Sequence, residues 1–505
     1  LIYKGRIKRP FLMKFLGLRL CEHDSNITLT DGTNVKYYSS ERDNQIKHHG
    51  FEDLSSWKKV FDTFKVSPKD IDAIGIVIDC YRHEHIKCDE NKLYEEIDIP
   101  IFKMIGFDCP VFRVDHHYVH ALSIWTLGVE TTTDFIFDGF GDDQISHTIF
   151  KQDQKVLVQK LTEGYNSLGQ TMAMFGAHIG LSGDKLDIPG KVMALKAYGQ
   201  KSFIHDQYSF KSLIKLWSSI TTKDIEKCHE DEIATHIRKC HEETERIFVE
   251  HFEENSKASD IIGYSGGVAQ NTIINSKIKK IRSNLHIPPH CNDCGLSLGI
   301  VEFLRKLYDQ EPFDASGFPF WQSDISPELP SKQVIKNAAE HLAKGNILGW
   351  YQGHGEVGPR ALGNRSILMR PDIKDGKEIL NSKVKHRESF RPFGASVLRD
   401  NVSDYFDWNE ETPYMLYVMD VLDKNSFPSI THVDGTCRPQ TVTEDHEVYY
   451  ELISEFEKLT GIPMLLNTSL NNGGKPICGS PNEALELFCA SEMDNLIVGS
   501  SIYSK

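Results

Sequence analysis

The residues most clearly suited to binding or catalysis lie in a strongly basic segment, residues 360–399. It holds ten Lys or Arg residues against four acids, a net charge of +6 inside a chain whose formal net charge is −15. Gly, Pro, Phe and Leu separate these charges, which is typical of a packed loop that directs guanidinium groups inward; a solvated charged surface is the alternative. Because Arg presents a planar fork to phosphate oxygens and Lys a compact charge, the segment predicts binding of a small polyanion. Arg438, Thr468 and Ser469 add donors in turn-rich segments.

A second group of residues has the types and spacing of metal ligands. His116 and His120 lie in a segment that reads as a strand running into a helix capped by Asp115, and four-residue spacing stacks both imidazoles on one helical face. Asp138, after an apolar strand, and Asp293, in CNDCGLSLG, are candidate carboxylate ligands. Two imidazoles and two carboxylates suit a divalent ion such as iron(II), zinc or manganese. A hydrogen-bonded histidine pair without metal is the alternative.

A third candidate site is the small-residue run GYSGGVAQN, residues 263–271, between an apolar strand and a predicted helix. Such a turn lets backbone amides approach a nucleotide and directs a helix N-terminus at its phosphates. Gly266, Gly267 and Asn271 are therefore candidate cofactor-binding residues, with an ordinary tight turn as the alternative. Cys291 and Cys294 form a lone CxxC, which favours a turn over a zinc site.

The elements that must position these residues indicate two α/β domains. Residues 15–41 read as three strands joined by turns, and the same pattern returns about a hundred residues later around Asp138. This repetition predicts an internally duplicated α/β fold, as in actin-like ATPases. A proline-rich linker at 309–331 then separates a first domain, 13–308, from a second domain, 332–505.

Composition narrows the class of protein further. The negative net charge argues against general nucleic-acid binding, and no apolar run reaches membrane-spanning length. Eleven scattered cysteines favour reduced thiols and a cytoplasmic location. Residues 1–12 are basic and precede Met13, so we interpret them as an upstream leader that is not native to the domain; a signal peptide is the alternative.

The ordered motifs resemble the NodU/TobZ-type O-carbamoyltransferases along almost the whole chain. The matching segments, in order, are LGLRLCEHDS, HHYVHA, FDGFGD, PGKVMALKAYG, YSGGVAQN, DCGLSLG, GHGEVGPRALGNRSIL, KVKHRESFRPF, HVDGTCRPQT and LLNTSLN. The resemblance implies an N-terminal actin-like domain joined to a C-terminal YrdC-like domain. It also implies that the C-terminal domain forms carbamoyl adenylate from carbamoyl phosphate and ATP, expected as its magnesium complex, releasing phosphate and pyrophosphate.

The same resemblance assigns roles to residues of this chain. It implies that the N-terminal domain delivers the carbamoyl group to a hydroxyl of a small acceptor, such as a sugar or an antibiotic-like natural product, beside an iron(II) site. The implied metal ligands are His116, His120, Asp138 and Asp293. The implied phosphate and carbamoyl-adenylate residues are Arg360, Lys385, Arg391, Arg438 and Ser469, together with Arg365.

Three positions depart from the family pattern, namely Pro189, His354 and Lys475. The general base for the acceptor hydroxyl stays open among His23, Asp24 and His117. Two other functions are compatible with the motifs: a tRNA threonylcarbamoyl-type enzyme, and a nucleotide-binding relative without turnover. The sequence does not determine the oligomeric state.

Overall fold

A computed structural model describes residues 12–19, 23–51, 61–62, 65–78, 88–89, 91–160, 167–201, 208–218 and 230–505. Residues 1–11 of the predicted leader lie outside the described residues. Packing divides the chain into two compact units, and both units are assembled from separate stretches of sequence. Unit 1 comprises residues 1–162, 260–269 and 286–323, and unit 2 comprises residues 163–259, 270–285 and 324–505. These units do not follow the linear boundaries at 13–308, 309–331 and 332–505, which stay a prediction.

The helices are numbered in chain order. They are α1 (Ser40–Asn44), α2 (Pro100–Ile105), α3 (His116–Leu122), α4 (Leu168–His178), α5 (Ile188–Leu195), α6 (Leu213–Trp217), α7 (Glu230–Asn255), α8 (Thr272–Ile281), α9 (Leu296–Leu307), α10 (Lys332–Ala343), α11 (Gly376–Ile379), α12 (Val402–Tyr405), α13 (Glu447–Thr460) and α14 (Pro481–Ala490). A π-helical turn, Leu380–Lys385, follows α11. Among the described residues, no helix is both long and apolar enough to cross a bilayer.

Two sheets repeat one topology. The first contains β1 (Phe15–Arg19), β2 (Asn26–Asp31), β3 (Asn34–Ser39), β4 (Ala73–Val77), β5 (Tyr94–Glu96) and β6 (Val111–Val114), in the order β3-β2-β1-β4-β6-β5. The second contains β7 (Thr133–Phe137), β8 (Ile145–Lys151), β9 (Gln154–Lys160), β10 (Ile262–Ser265) and β11 (Leu285–His286), in the order β11-β10-β7-β8-β9.

In each of these sheets the first strand begins an antiparallel meander and pairs on its other side with a parallel strand. Thus β1 is antiparallel to β2 and parallel to β4, while β7 is antiparallel to β8 and parallel to β10. The register places Leu18 beside Ile76 and Ile136 beside Ser265. The predicted duplicated, actin-like α/β fold is therefore confirmed.

Side chains of β1 point to both faces of the first sheet, and a separate apolar cluster covers each face. Phe15 packs in one apolar cluster with residues of α3 and α9, whereas Leu16 and Leu18 pack in a second cluster. Gly17 lies where a Cβ atom would stand 2.4 Å from the carbonyl oxygen of Ser297, so only glycine admits α9 this closely. Helix α9 is thereby held near the end of the strands, where Asp293 precedes it.

Unit 2 contains an eight-stranded mixed sheet. Its strands are β12 (Leu348–Tyr351), β13 (Arg365–Met369), β14 (Gly394–Leu398), β15 (Met419–Asp420), β16 (Thr436–Val442), β17 (Met464–Ser469), β18 (Asn495–Val498) and β19 (Ser501–Ser504), in the order β15-β16-β14-β17-β13-β12-β18-β19. Residues of α10 and α13 form one core with this sheet, including Leu342, Trp350 and Phe456. This α/β architecture matches the predicted fold class of the C-terminal region.

The cysteines depart from the expectation of reduced thiols at one position. Cys88 is disulfide-bonded, so that expectation is wrong for this residue. Seven other described cysteines are free, including both members of the CxxC pair, Cys291 and Cys294, which are buried. Composition could not identify this bonded cysteine among eleven scattered residues.

Candidate functional site

Helix α3 positions the two histidines of the HxxxH motif. The Asp115 Oδ1 atom accepts a hydrogen bond from the Tyr118 N–H at 2.8 Å, so the predicted N-cap is present. The Asp142 carboxylate accepts from the His116 N–H at 3.0 Å and is itself paired with the buried Arg113. The two carboxylates accept hydrogen bonds from N–H groups of the first turn and so fix the start of the helix. The imidazole centroids of His116 and His120 lie 5.0 Å apart.

The four predicted metal ligands converge in unit 1. Asp138 directly follows β7, and Asp293 lies in a 3-10 turn before α9. The His116 Nε2 atom lies 3.1 Å from Asp138 Oδ2 and 3.4 Å from Asp293 Oδ1, and His120 Nε2 lies 3.3 Å from Asp293 Oδ1. One ligand atom from each residue falls within 4.8 Å of the others, and all four side chains are buried. The group can therefore hold a metal ion.

The surrounding hydrogen bonds prepare His120 as a ligand. The Ser265 hydroxyl donates to the Cys291 carbonyl oxygen at 3.1 Å and accepts from His120 Nδ1–H at 3.3 Å. This assignment leaves the neutral imidazole unprotonated at Nε2, the form that binds a metal. Among the described residues, the buried Nε2 atom has no hydrogen-bond partner. A divalent cation fits this unsatisfied atom.

Each carboxylate of the cluster is held by its second oxygen. Asp138 Oδ1 accepts from the Gly267 N–H at 3.0 Å, and Asp293 Oδ2 accepts from Arg19 at 3.1 Å. Gly266 allows this approach, because its φ of +94° and a Cβ position 2.1 Å from the Phe137 carbonyl oxygen exclude a side chain. The small-residue turn therefore supports the metal cluster. A nucleotide contact of Gly266 and Gly267 stays a prediction.

The electrostatics of the cluster keep both acids ionised. Burial raises the pKa of Asp293, but His116 and His120 outweigh burial, so the pKa lies well below its ordinary value. Burial lowers the pKa of His116, yet Asp293 and Asp138 raise it above the ordinary value. Burial also raises the pKa of Asp138, and the two histidines reverse this effect. Two ionised carboxylates supply the negative charge that a divalent cation requires of its ligands.

The three candidate general bases differ in exposure. His117 is buried, hydrogen-bonded to Thr148 at 2.8 Å, and its pKa is lowered to about 3, chiefly by burial. Asp24 is also buried and hydrogen-bonds to His48 at 2.9 Å. The His23 side chain is 33% exposed, with Nδ1 3.1 Å from Asp24 Oδ2 and 3.9 Å from Asp293 Oδ2. Of the three, only His23 is open to a substrate.

Asn271 and Arg365 occupy structural positions. The Asn271 Oδ1 atom caps α8 by accepting from the Ile274 N–H, while Nδ2 bonds to His241 at 3.0 Å. Arg365 is fully buried, pairs with Asp324 at 2.6 Å and lies over the Tyr351 ring at 3.6 Å. These contacts hold both side chains in place, and a ligand contact of either one stays a prediction.

Lys385 and Ser469, which are 84 residues apart in sequence, are brought together in unit 2. Lys385 ends the π-helical turn, is 2% exposed, and lies 3.3 Å from the Ser469 hydroxyl through Nζ. The same ammonium donates to the carbonyl oxygens of Ser469 and Asn471 at 2.8 and 2.9 Å. These contacts hold the ammonium at the end of β17.

Four arginines of unit 2 form a cluster, and Glu388 lies 3.6 Å from Arg391, one of its members. Burial lowers the pKa of Arg438, and Arg360, Arg387 and Arg391 lower it further by repulsion. The pKa of Arg387 falls to about 9 through burial and the charge of Arg391. The buried Nε of Arg438 has no hydrogen-bond partner within the described part of the chain. Guanidiniums that repel one another in this way can be stabilised by a bound anion, and anion binding here stays a prediction.

An open cleft of about 350 Å³ adjoins this cluster; we call it the basic cleft. It is lined by Lys191, His386, Arg387, Glu388, Arg391, Gly473 and Gly474. Of these, only Arg391 was assigned to the site from the sequence. Lys191 was not identified because it lies on α5, 197 residues before Glu388. The signal available was the Lys of PGKVMALKAYG, a motif without an obvious partner.

The loop that carries Arg360 is held by Glu356. This carboxylate is fully buried, and Oε1 accepts from the N–H groups of Leu362, Asn364 and Arg365 at 2.8, 2.9 and 3.1 Å. One side chain thereby fixes the turn between Arg360 and β13.

We expect Glu356→Ala to lower the free energy of unfolding by about 3 kcal/mol or more, since it leaves several buried N–H donors without an acceptor. The midpoint of urea unfolding, followed by circular dichroism, measures this change. Glu340→Ala removes an exposed carboxylate from α10 and should shift the midpoint little. Equal shifts in the two variants would contradict the role of Glu356.

Comparison with known proteins shows similarity along most of the chain. Residues 90–301 match the family model of the carbamoyltransferase N-terminus, and residues 339–505 match that of the carbamoyltransferase C-terminus. Nodulation protein NolO of Bradyrhizobium diazoefficiens is 30% identical over 78% of this chain and 79% of its own length. The 3'-hydroxymethylcephem-O-carbamoyltransferase of Streptomyces clavuligerus is 31% identical over 52% of this chain and 53% of its own length.

Similarity to solved structures is weaker. Full-length HypF, in a phosphate- and nucleotide-bound form, aligns with 61% of this chain and 48% of its own at 13% identity, with a TM-score of 0.35. At that level the alignment adds nothing to the strand topology described above.

Proposed function

Because the chain belongs to the carbamoyltransferase family, we propose that it is an ATP-dependent O-carbamoyltransferase acting on a small hydroxylated molecule. In this proposal, water cleaves carbamoyl phosphate to carbamate and phosphate. The carbamate oxygen attacks the α-phosphorus of ATP, and carbamoyl adenylate forms as pyrophosphate leaves. The acceptor hydroxyl then attacks the carbamoyl carbon, AMP leaves, and the hydroxyl proton passes to a base. Relatives named 3'-hydroxymethylcephem-O-carbamoyltransferase support a small acceptor with a hydroxyl group.

The observation that carries the first step is the arginine cluster of unit 2. Three neighbouring guanidiniums lower the pKa of Arg438, and among the described residues no carboxylate forms an ion pair with Arg438. An anion with several phosphate charges would relieve this repulsion. Preorganised cations of this kind stabilise charge that develops during phosphoryl and acyl transfer.

We assign the first step to five residues. Arg360, Arg391 and Arg438 would bind phosphate oxygens, and Lys385 would neutralise charge next to Ser469. The Ser469 hydroxyl accepts from the Lys385 ammonium at 3.3 Å and donates to Asn471 Oδ1 at 2.6 Å, and it would turn from Asn471 to donate to the carbamoyl group or its phosphate. Because the adenylate is readily hydrolysed, these residues must also keep it away from bulk water.

We assign the second step to the metal cluster of unit 1. His116, His120, Asp138 and Asp293 would hold a divalent ion, for which iron(II) is our proposal. When bound, such an ion supplies Lewis-acid polarisation of an oxygen. Among the candidate bases, His23 is favoured to accept the proton of the acceptor hydroxyl, because its ring is partly exposed and Asp24 orients it.

The proposal predicts pyrophosphate release that depends on carbamoyl phosphate. Purified protein is incubated with ATP and magnesium, with and without carbamoyl phosphate, and pyrophosphate is measured enzymatically. Mass spectrometry of reactions with a panel of sugars and antibiotic precursors then detects a product heavier by one carbamoyl group. Pyrophosphate release without carbamoyl phosphate, or no release with both substrates, would rule the proposal out.

A further inference from the structure

The basic cleft contains an internal ion pair that the proposed reaction does not require. The Lys191 ammonium, on α5, donates to the Glu388 carboxylate, which belongs to the loop after the π-helical turn. Lys191 lies in the part of the chain matched by the N-terminal family model, and Glu388 in the part matched by the C-terminal one. Both residues belong to unit 2, so the pair is internal to one compact unit.

Lys191 is placed as a ligand-binding cation would be. Its side chain is 9% exposed, and its ammonium also donates to the Ser182 carbonyl oxygen at 2.6 Å. A lysine ammonium has three N–H donors, so these two contacts leave one donor for a molecule in the cleft. A buried ammonium of this kind binds an anion more strongly than an exposed one does.

Glu388 is the one acid among the residues that line the basic cleft. Besides its bond to Lys191, its Oε2 atom lies 3.6 Å from Arg391 Nη1. Burial raises the pKa of Glu388, but Lys191 and Arg391 lower it below its ordinary value, so the carboxylate is charged. One side chain therefore neutralises two cations of the cleft at once, from a position that is 30% exposed.

We propose that Glu388 is a displaceable internal anion, and that Lys191 and Arg391 bind a polyphosphate group in its place. This inference rests on the proposed function, and it names the ligand as the polyphosphate chain of a nucleotide or its pyrophosphate product. A ligand must outcompete a carboxylate that already holds both cations. The pair thus favours ligands with several negative charges over a single phosphate, and it makes Glu388 a specificity-determining residue.

The proposal predicts opposite effects of the two partners on binding. We expect Lys191→Met to weaken pyrophosphate binding at least about tenfold, since it removes a charge-assisted contact. Glu388→Gln should instead tighten it at least about threefold, because the competing charge is lost while the side-chain shape is kept. In the Lys191→Met background, the gain from Glu388→Gln should shrink. Calorimetric titration of the full chain with pyrophosphate, and separately with inorganic phosphate, measures all four proteins.

A lysine–glutamate pair on α13 serves as the control. Lys458 and Glu455 lie 2.6 Å apart on α13, away from the basic cleft, so Lys458→Met and Glu455→Gln should leave pyrophosphate affinity unchanged. If Glu388→Gln weakens binding or leaves it unchanged, the pair is structural and the proposal is overturned. This outcome stands even if Lys191→Met does not fold. If wild-type protein binds neither pyrophosphate nor ATP, the nucleotide site of the proposed function fails as well.

Discussion

Replacement of His120 by Ala is expected to empty the metal site and abolish carbamoyl transfer while leaving pyrophosphate release intact. The buried Nε2 atom of His120 has no hydrogen-bond partner among the described residues, and two carboxylate oxygens lie 3.3 and 3.7 Å away. Without this imidazole the remaining ligands are a single histidine and two acids that repel each other. Elemental analysis should find about one divalent ion per wild-type chain and almost none in the variant.

The matched control is His178→Ala, which removes an exposed imidazole at the end of α4. It should leave metal content, pyrophosphate release and product formation unchanged. A metal-free His120→Ala protein that transfers the carbamoyl group at the wild-type rate would remove the metal from the proposed function. A folded His120→Ala protein that has lost pyrophosphate release would show that the two steps are not separable.

The metal cluster was predictable because its signals are local. Spacing of four residues places His116 and His120 on one face of a helix. Asp138 follows an apolar strand, and Asp293 begins a turn that leads into a helix. The sequence also predicted the duplicated sheets, since each meander is continuous in the chain. Neither pattern identified Ser265, whose hydroxyl sets the tautomer of His120, because an isolated serine in a small-residue turn carries no such signal.

The basic cleft was only half predictable for a different physical reason. The density of basic residues identified the segment that contains Arg360, Lys385 and Arg391. It does not show which guanidinium faces a ligand and which is buried in a structural contact. Arg365 pairs with Asp324 of the predicted linker, and the linker sequence gives no indication of this pairing. Lys191 entered the cleft from a distant helix, because unit 2 is assembled from three separate stretches of chain. Contacts of this kind depend on tertiary packing.

Replacement of Lys385 by Met is expected to lower carbamoyl-phosphate-dependent pyrophosphate release at least about tenfold, because a charge-assisted contact to phosphate is typically worth about 1.5 to 3 kcal/mol. The ammonium is buried and held beside Ser469, so in the variant a water molecule cannot easily take over its contact to phosphate. Metal content should stay at the wild-type level, since the metal cluster lies in unit 1. Pyrophosphate assays and elemental analysis of the same preparation test both statements.

Lys383 offers a matched control two residues earlier, where the ammonium is half exposed and pairs with Glu492 at 2.9 Å. Lys383→Met should retain pyrophosphate release, because an exposed ion pair contributes little and lies outside the basic cleft.

Lys385 also donates to carbonyl oxygens, so its loss destabilises the loop. Arg391→Met, at a half-buried site with a 3.6 Å ion pair, tests the same step with less damage to packing. If both Lys385→Met and Arg391→Met fold and release pyrophosphate at the wild-type rate, adenylate formation does not take place at the arginine cluster. Loss of release in both variants, with metal retained, would place the first step in unit 2 and leave the His120 variant to define the second.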